Sequence, residues 1–417
     1  MRWLRVELVA AAWLSFLLLP AAALGQGAPP LQSLNPDISV IGDFLADLSP
    51  EEARVNESGR RFSLREIELA AQAAVDPFFR ADFFLGVHES EIEVEEAYLT
   101  ALALPGELQA RLGRIALPLG RVNLTHRPEL LTPEYPLVIR SYFGSEGIKS
   151  TGIGVSRIIA PLGFFQEIEL FVINDLANRD EDHPDGTTGT GPGNLIDATE
   201  SGGLIVGGNS RRGLEQVAVV GHLRSFYDFS AATNLEVGLS AGAGTAERLH
   251  RPTGDGSTEP PADVIRTFPP QQYYGVNAVV RWRPPGQGLY RSFIWTTEWL
   301  GHSGPESLAS GGFTHAEWQL GRRTYFGGRF DAVQRPGSQE AGLSLEGGDR
   351  QVAIEAVPGG EWMYAVSAGL TFFPSEFSRF RLWAERNWGE EFDEVLGEWK
   401  AVFQTTFSVG PHRPHAF

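Results

Sequence analysis

The chain has 417 residues, no cysteine and a formal net charge of −18 at pH 7. Because cysteine is absent, disulfides, thiolate metal sites and cysteine nucleophiles are excluded. The acidic balance argues against nucleic acid as a partner, since phosphates require clustered lysine and arginine. Lysine occurs only at Lys149 and Lys400, so arginine carries nearly all of the positive charge.

Residues 1–25 have the three parts of a secretory signal peptide. Arg2 and Arg5 supply the basic start, residues 8–19 form an apolar core, and small residues occupy the end of the segment, where signal peptidase cleaves. A membrane-anchoring helix is the alternative, but the core is short and the following segment is rich in glycine and proline. We therefore expect export through the Sec pathway, removal of residues 1–25, and a flexible segment over 26–36.

One pattern continues from residue 37 to residue 410. No run of about 18 or more apolar residues follows the leader, so no transmembrane helix is expected. The length would allow two or three soluble domains, but no linker divides the chain. We predict one large domain over 37–410, followed by a short tail over 411–417.

Apolar and polar side chains alternate along about sixteen stretches, and this period of two predicts β-strands. In 62–75, for example, Ile67 and Leu69 fall on one face and Glu68 falls on the other. In chain order the predicted strands are 38–48, 62–75, 79–87, 97–103, 108–112, 151–160, 164–174, 215–226, 233–243, 273–283, 290–300, 313–320, 324–334, 362–373, 377–388 and 398–409.

The connections alternate between short and long. Short turns are predicted at 76–77, 105–106, 161–163, 227–228, 284–288, 321–323 and 374–376. Long loops are predicted at 49–61, 118–150, 175–213, 244–270 and 337–360. This asymmetry is typical of transmembrane antiparallel β-barrels of the outer membrane, with short periplasmic turns and long extracellular loops. The stretch 337–360 is either an extracellular hairpin or two more strands, so about 14 to 18 strands are compatible with the pattern.

Aromatic residues cluster beside the short turns. They are Phe78, Phe164, Phe165, Tyr227, Phe229, Trp282, Tyr290, Phe373 and Phe377. Amphipathic rings favour the level of the lipid headgroups, so this clustering predicts an interfacial girdle. Aromatic residues in the core of a soluble sandwich are the alternative, but those would be expected at mid-strand.

Four short motifs carry a resemblance to a known family. They are Glu96-Ala97-Tyr98-Leu99, Arg111-Leu112-Gly113-Arg114, Pro118-Leu119-Gly120-Arg121 and Phe143-Gly144-Ser145-Glu146-Gly147. With these motifs the chain resembles bacterial outer-membrane porins, closest to phosphate-selective porin O/P-like proteins. The resemblance covers the first third of the mature chain. It implies a barrel of 16 strands whose third loop folds into the lumen.

The resemblance identifies the loop 118–150 as the constriction loop. Its charged residues are Arg121, His126, Arg127, Glu129, Glu134, Arg140, Glu146 and Lys149. A basic constriction would favour anions because it focuses a positive field across the channel. In the alternative, the basic residues are solvated or tie the loop to acids of the wall, and the sequence leaves both open.

Alternation also predicts which polar side chains form the pore wall. They are Arg80, Asp82, Glu96, Arg111, Arg224, Arg281, Arg329, Asp331, Arg381 and Glu385. A charge on the lipid face would cost about 2–4 kcal/mol for arginine near mid-membrane. If the chain is a barrel, these residues therefore point inward.

The sequence predicts no enzyme and no cofactor. Nucleophile elbows, phosphate-binding loops and paired-histidine spacings are absent. The acidic stretch 180–185 could attract calcium, but an acidic solvated loop is the favoured interpretation. His412 and His415 lie in the tail without a third ligand, so we expect no metal site there.

The favoured hypothesis is an outer-membrane porin of a Gram-negative bacterium, through which small hydrophilic solutes or anions diffuse passively. Its other expected partners are outer-membrane lipid, lipopolysaccharide, the barrel-assembly machinery and, by analogy with general porins, two further copies in a homotrimer. Nucleic acid is not expected. The alternatives are a non-conducting barrel with a structural or anchoring role and a secreted soluble β-rich binding protein.

Overall fold

The computed structural model describes residues 36–50, 60–89, 92–176, 217–245, 248–250, 265–267, 270–304, 308–346, 349–357, 359–389 and 399–410. The predicted leader and most of the segment after it, the acidic stretch 180–185, His412, His415 and the tail lie outside the described residues. The predictions made for them stay predictions.

The described residues form twenty strands. In chain order they are β1 (Asp37–Asp47), β2 (Phe62–Ala74), β3 (Phe79–Val87), β4 (Ile92–Leu104), β5 (Leu108–Ala116), β6 (Lys149–Ile159), β7 (Phe165–Ile173), β8 (Ala218–Ser230), β9 (Thr233–Thr245), β10 (Arg248–His250), β11 (Ile265–Thr267), β12 (Pro270–Trp282), β13 (Phe293–Ser303), β14 (Leu308–Gln319), β15 (Thr324–Gln334), β16 (Ser338–Glu346), β17 (Asp349–Val357), β18 (Trp362–Ser375), β19 (Ser378–Gly389) and β20 (Trp399–Val409).

Sixteen of these strands form one closed antiparallel barrel. Neighbours in sequence pair with one another around the ring, and β1 pairs with β20 to close it. The prediction of an all-β barrel with sixteen strands is confirmed. The other four strands form two separate hairpins, β10–β11 and β16–β17, within long connections. The stretch 337–360 is therefore a hairpin and contributes no strand to the barrel.

Two strand boundaries differ from the predicted ones because of local turn geometry. The predicted strand 290–300 begins at Phe293, since the amides of Tyr290 and Arg291 donate to Gln287 O at 2.9 and 3.0 Å in a turn. Strand β8 continues past the predicted turn at 227–228 to Ser230. The Ser230 hydroxyl accepts hydrogen bonds from the next amides and closes a tight turn there.

The polarity of the barrel is inverted relative to a soluble protein. Large apolar side chains such as Phe83 and Leu112 are 51% and 56% exposed, whereas Asp43 and Asp331 are fully buried. In a soluble protein the charged side chains would lie outside. An exterior of exposed apolar residues around a polar interior is the arrangement expected of a barrel surrounded by lipid.

Aromatic rings lie near both ends of the barrel wall. At the short turns, Tyr227 lies 5.8 Å from Phe164 and 5.1 Å from Phe229, measured between ring centroids. Near the long connections, Tyr364 stacks between Trp362 and Trp388 at 6.0 and 5.8 Å. The first group matches the predicted girdle. Two aromatic zones are typical of barrels that meet a membrane interface on each side.

Residues 117–148, which connect β5 to β6, lie inside the barrel and are called the inner loop below. They contain two short 3₁₀ turns, Val122–Leu124 and Arg127–Glu129, and one helix, α1 (Leu137–Phe143). The Asn123 side chain closes the neck of the loop, since its amide donates to Leu117 O and Ile148 O at 2.7 and 2.9 Å.

Helix α1 packs against the interior face of the barrel. Val138, Ile139 and Phe143 are at most 1% exposed and belong to an apolar cluster that includes wall residues. The rings of Phe143 and Tyr273 lie 5.1 Å apart. Burial of these side chains holds the loop within the barrel. Among the described residues, no helix has the length and apolar character that crossing a membrane would require.

Candidate functional site: the inner loop and the interior wall

Arg121 connects the first part of the inner loop to strands β9 and β13 of the barrel wall. Its Nε donates to Glu236 Oε1 on β9 at 3.1 Å. The backbone amides of Arg121 and Val122 both donate to Glu298 Oε2 on β13, at 2.8 and 3.2 Å. One carboxylate therefore pairs with the guanidinium, and it is shared with Arg281. A second carboxylate accepts hydrogen bonds from the backbone.

The other basic residues predicted for the constriction also contact carboxylates. The ion pairs are Arg127 with Glu146, Arg140 with Glu385 at 3.5 Å, and Lys149 with Glu95 at 3.3 Å. These contacts match the alternative in which basic residues tie the loop to acids, although Arg127 pairs within the loop itself. Because these basic side chains are paired with carboxylates, they do not form a free basic constriction.

Two acidic residues of the inner loop, Glu134 and Glu129, lie in parts of the loop that contact strands of the wall. Glu134 accepts a hydrogen bond from Arg65 Nη1 on β2 at 2.8 Å. Burial alone would raise the pKa of Glu134, but Arg65, Arg127 and Arg140 outweigh it and lower that pKa. Glu129 lies in the second 3₁₀ turn, which contacts β1. The loop therefore contacts strands on several sides of the barrel.

His126 lies at the centre of a buried carboxylate cluster. Its Nδ1 is 2.8 Å from Glu68 Oε2 and 2.9 Å from Glu95 Oε2, and its Nε2 is 2.7 Å from Glu96 Oε1. Burial opposes the charged ring, but the carboxylates of Glu68 and Glu95 outweigh burial and raise the pKa of His126 well above its usual range. Both ring nitrogens of His126 lie at hydrogen-bond distance from carboxylates, so the ring joins β2 and β4 to the loop.

Arg329 on β15 holds the middle of the inner loop. Its Nη1 donates to Thr132 Oγ1 at 2.6 Å and to Glu134 O at 2.8 Å. The same guanidinium pairs with Asp331 at 2.7 Å and with Glu385 at 3.1 Å. Asp331 in turn accepts the amide of Leu137, the first residue of α1, at 2.9 Å.

Arg379 and Arg381 on β19 bind the inner loop through its backbone. Arg381 Nη2 donates to Leu130 O at 2.9 Å, and Arg379 donates to Leu130 O at 3.2 Å and to Pro128 O. These acceptors are uncharged. Among the described residues, neither guanidinium forms a direct ion pair, so both retain positive charge within the barrel.

The remaining predicted wall residues pair with neighbours on the interior face. These pairs are Arg80 with Asp82 at 2.7 Å, Arg111 with Glu169 at 3.0 Å, Arg224 with Glu167 at 2.6 Å, and Arg281 with Glu236 at 3.1 Å. Every predicted wall residue lies on the face opposite the exposed apolar side chains.

A cavity of about 970 Å³ lies between the inner loop and the wall and reaches the short turns. Six arginines line it: Arg281, Arg283, Arg322, Arg323, Arg379 and Arg381. Glu317 and Glu376 are the acidic residues of its lining. The lining therefore carries a formal excess of four positive charges. This space is called the arginine cavity below.

Two β-bulges bring interior residues into the site that alternation alone does not predict. Pairing between β1 and β2 skips Arg65, and pairing between β3 and β4 skips Glu95. An extra residue in a strand re-aims its side chain. Both positions precede a second charged residue, as in Arg65-Glu66 and Glu95-Glu96. Adjacent charges within a predicted strand are the signal that could have identified these bulges, since the lipid face tolerates neither charge.

No protein-family model matches the chain. A protein of Aquifex aeolicus (strain VF5), described as uncharacterized, is 26% identical over 379 residues, which cover 88% of this chain and 72% of that protein. The high-pH structure of Pseudomonas putida OprB is similar with a TM-score of 0.51 at 9% identity, covering 91% of this chain and 94% of that chain.

A second solved structure is also similar. OmpTdeltaL8, a loop L8 deletion mutant of OmpT, which is an outer membrane protein of Vibrio cholerae, has a TM-score of 0.50 at 8% identity. The match covers 90% of this chain and all of that chain. At such low identity, both likenesses show the fold, a closed barrel of the porin type. The finer likeness to phosphate-selective porins is untested.

Proposed function

We propose that this chain forms an outer-membrane channel through which small anionic solutes diffuse passively. The fold supports a barrel that spans a membrane, because its exterior is apolar and its interior is charged. The predicted leader supports export through the Sec pathway. We further propose lipopolysaccharide, outer-membrane lipid and the barrel-assembly machinery as partners, and a trimer as the assembly. Catalysis forms no part of this proposal.

The arginine cavity is the observation that carries the preference for anions. Six arginines and two glutamates line it, and Arg379 and Arg381 donate to backbone carbonyls of the loop. A concave surface of one sign of charge raises the local concentration of counter-ions. We name small anions as a class, since the positive charge of the lining does not distinguish one small anion from another.

The test is ion selectivity in a planar lipid bilayer across a gradient of potassium chloride. We expect a reversal potential that reports chloride as the more permeant ion. Arg322→Glu should lower the ratio of chloride to potassium permeability by about twofold, because it reverses a charge in the cavity lining. Arg291→Glu is the matched control, since Arg291 is also exposed in a short turn but does not line the cavity.

Two results would reject this proposal. A reversal potential that favours potassium would contradict the preference for anions. Equal effects of Arg322→Glu and Arg291→Glu would show that the cavity lining does not control selectivity.

A non-conducting barrel with an anchoring role is the second candidate, and the inner loop is the observation that favours it. Residues of this loop bind β2, β4, β9, β13, β15 and β19, and apolar side chains of α1 fill part of the interior. Folded protein that inserts into the bilayer without current above background would select this candidate over the channel.

A further inference from the structure

Two aromatic side chains of the arginine cavity lie on the interior face of the wall. Phe326 and Phe372 are 48% and 43% exposed on the lipid face. Because successive side chains of a strand point to opposite faces, their neighbours Tyr325 and Phe373 point into the barrel, and both line the cavity. Phe373 is therefore a lining residue, although its place beside a short turn predicts a residue of the girdle.

The rings of Tyr325 and Phe373 form one apolar surface within this cavity. Their centroids are 5.4 Å apart and their planes meet at 78°. Both side chains are half-buried, and Phe377, which is 43% exposed, lines the same cavity. Apolar area that faces water is costly unless another apolar group covers it. A further aromatic ring suits this surface, since it can pack against the pair in an offset or edge-to-face arrangement.

Two arginines lie beside these rings without a partner among the described residues. The amide of Phe373 donates to Arg323 O at 2.8 Å, so Arg323 lies across from Phe373 and two residues before Tyr325. Arg322 and Arg323 are exposed, and both line the cavity. Within the part of the chain that the structure describes, neither guanidinium forms an ion pair or a hydrogen bond.

The four other arginines of the cavity already have partners. The acids of the lining, Glu317 and Glu376, offset only two of its six positive charges. Arg322 and Arg323 are therefore the guanidinium groups that remain available to a bound anion. The partners of the other four are Glu236 for Arg281, Gly288 O for Arg283, and carbonyls of the inner loop for Arg379 and Arg381.

We propose that the arginine cavity binds aromatic carboxylates, with the carboxylate at Arg323 and the ring against Tyr325 and Phe373. A guanidinium matches a carboxylate, because its parallel N–H groups meet the two oxygens. The cavity volume of about 970 Å³ falls within the roughly 300–1,000 Å³ of sites that hold small organic ligands. This inference rests on the proposed function, because it names the solutes that the anion channel would select.

The test is fluorine NMR of 4-fluorobenzoate added to the full chain folded in detergent, with empty micelles as the blank. Binding should broaden the fluorine signal, and unlabelled benzoate should reverse the broadening. Cyclohexanecarboxylate carries the same charge on a ring of similar size that is not aromatic, so it should need a concentration about fivefold higher. Sodium phosphate should compete more weakly still. Equal competition by the three anions would overturn the proposal, because the site would then recognise charge alone.

Two substitutions separate the role of the charge from the role of the ring. Arg323→Gln should weaken the affinity for 4-fluorobenzoate about tenfold, because a hydrogen bond to a charged group is lost. Phe373→Leu should weaken it about fivefold, although the side chain stays apolar. The matched controls are Arg291→Gln and Tyr290→Leu, since both residues are exposed in a short turn and do not line the cavity. Both controls should bind as the parent chain does, and heat-dependent gel mobility should show that each variant is folded.

Equal affinity in Arg323→Gln, Phe373→Leu and the parent chain would overturn the proposal, as would a parent chain that does not bind 4-fluorobenzoate. The experiment needs no current, so its result is independent of the planar-bilayer test. A chloride-selective channel that does not bind 4-fluorobenzoate would retain the proposed function and overturn this inference alone. Binding by a barrel that carries no current would reject the channel and support the binding site.

Discussion

Replacement of Arg329 tests how strongly the inner loop is held to the wall. The Arg329 side chain is 1% exposed and has two charged partners, Asp331 and Glu385. It also donates to Thr132 Oγ1 and Glu134 O in the loop. Arg329→Met keeps the length of the side chain but removes every one of these hydrogen bonds.

The expected loss of stability follows from the partners that are left behind. Removal of one partner from a buried ion pair costs about 3–5 kcal/mol, because the other charge stays buried without compensation. The hydrogen bonds to the loop are part of the same network, so their loss is not added in full. We expect Arg329→Met to lower the free energy of unfolding by about 3–5 kcal/mol. Arg329→Lys should lose less, since it retains the charge but not the fork of donors.

The assay is urea unfolding of the protein in detergent, followed by tryptophan fluorescence. Single-channel conductance of the same variant should rise, since the loop loses its clamp. Arg157→Met is the control, because Arg157 is half-exposed and its partner Glu107 is 3.6 Å away and 83% exposed. That variant should stay within about 0.5 kcal/mol of the parent. A loss below about 1 kcal/mol for Arg329→Met, with unchanged conductance, would refute the reasoning.

Three further predictions concern the loop, the wall and the lipid face. The pKa of Glu134 is lowered in the folded state. The carboxylate therefore stabilises the fold above its unfolded pKa, and this stabilisation is lost as the pH falls through the folded pKa. The urea midpoints of the parent and of Glu134→Gln should differ at pH 7 and converge in acid, and a constant difference would contradict this. Gly113→Ala should impair refolding far more than Gly106→Ala, since both have positive φ but a Cβ on Gly113 would lie 2.1 Å from Ala97 O, and equal refolding yields would show that this contact does not matter. Leu370→Arg should cost about 2–4 kcal/mol in unfolding titrations, because Leu370 is 47% exposed on the lipid face, whereas a loss near zero would indicate water there.

Much of the barrel could be predicted from local alternation. In a strand that is buried on one face, apolar and polar side chains alternate with a period of two. This pattern predicted β3 and β15 at their observed bounds. The same pattern placed Arg329 and Asp331 on the interior face. It failed where a bulge adds one residue, as at Glu95, because the period then shifts by one position.

The contacts of the inner loop could not be predicted in the same way. Arg121 meets Glu298, which lies 177 residues later in the chain. Such pairs depend on how the closed ring brings distant strands opposite the loop, and no local pattern encodes that distance. Arg379 illustrates the point, since its role depends on loop carbonyls about 250 residues earlier.

Cysteine labelling of two adjacent residues on β5 tests the inverted polarity of the barrel most directly. The chain has no cysteine of its own, so each variant reports one site. In lipid vesicles, Arg111→Cys should react with a water-soluble maleimide, because the Arg111 side chain is 33% exposed in the interior. Leu112→Cys should not react with it, but a fluorophore attached there in detergent should be quenched by brominated lipid after reconstitution. Rapid maleimide labelling of Leu112→Cys, without lipid quenching, would contradict the barrel as a membrane channel.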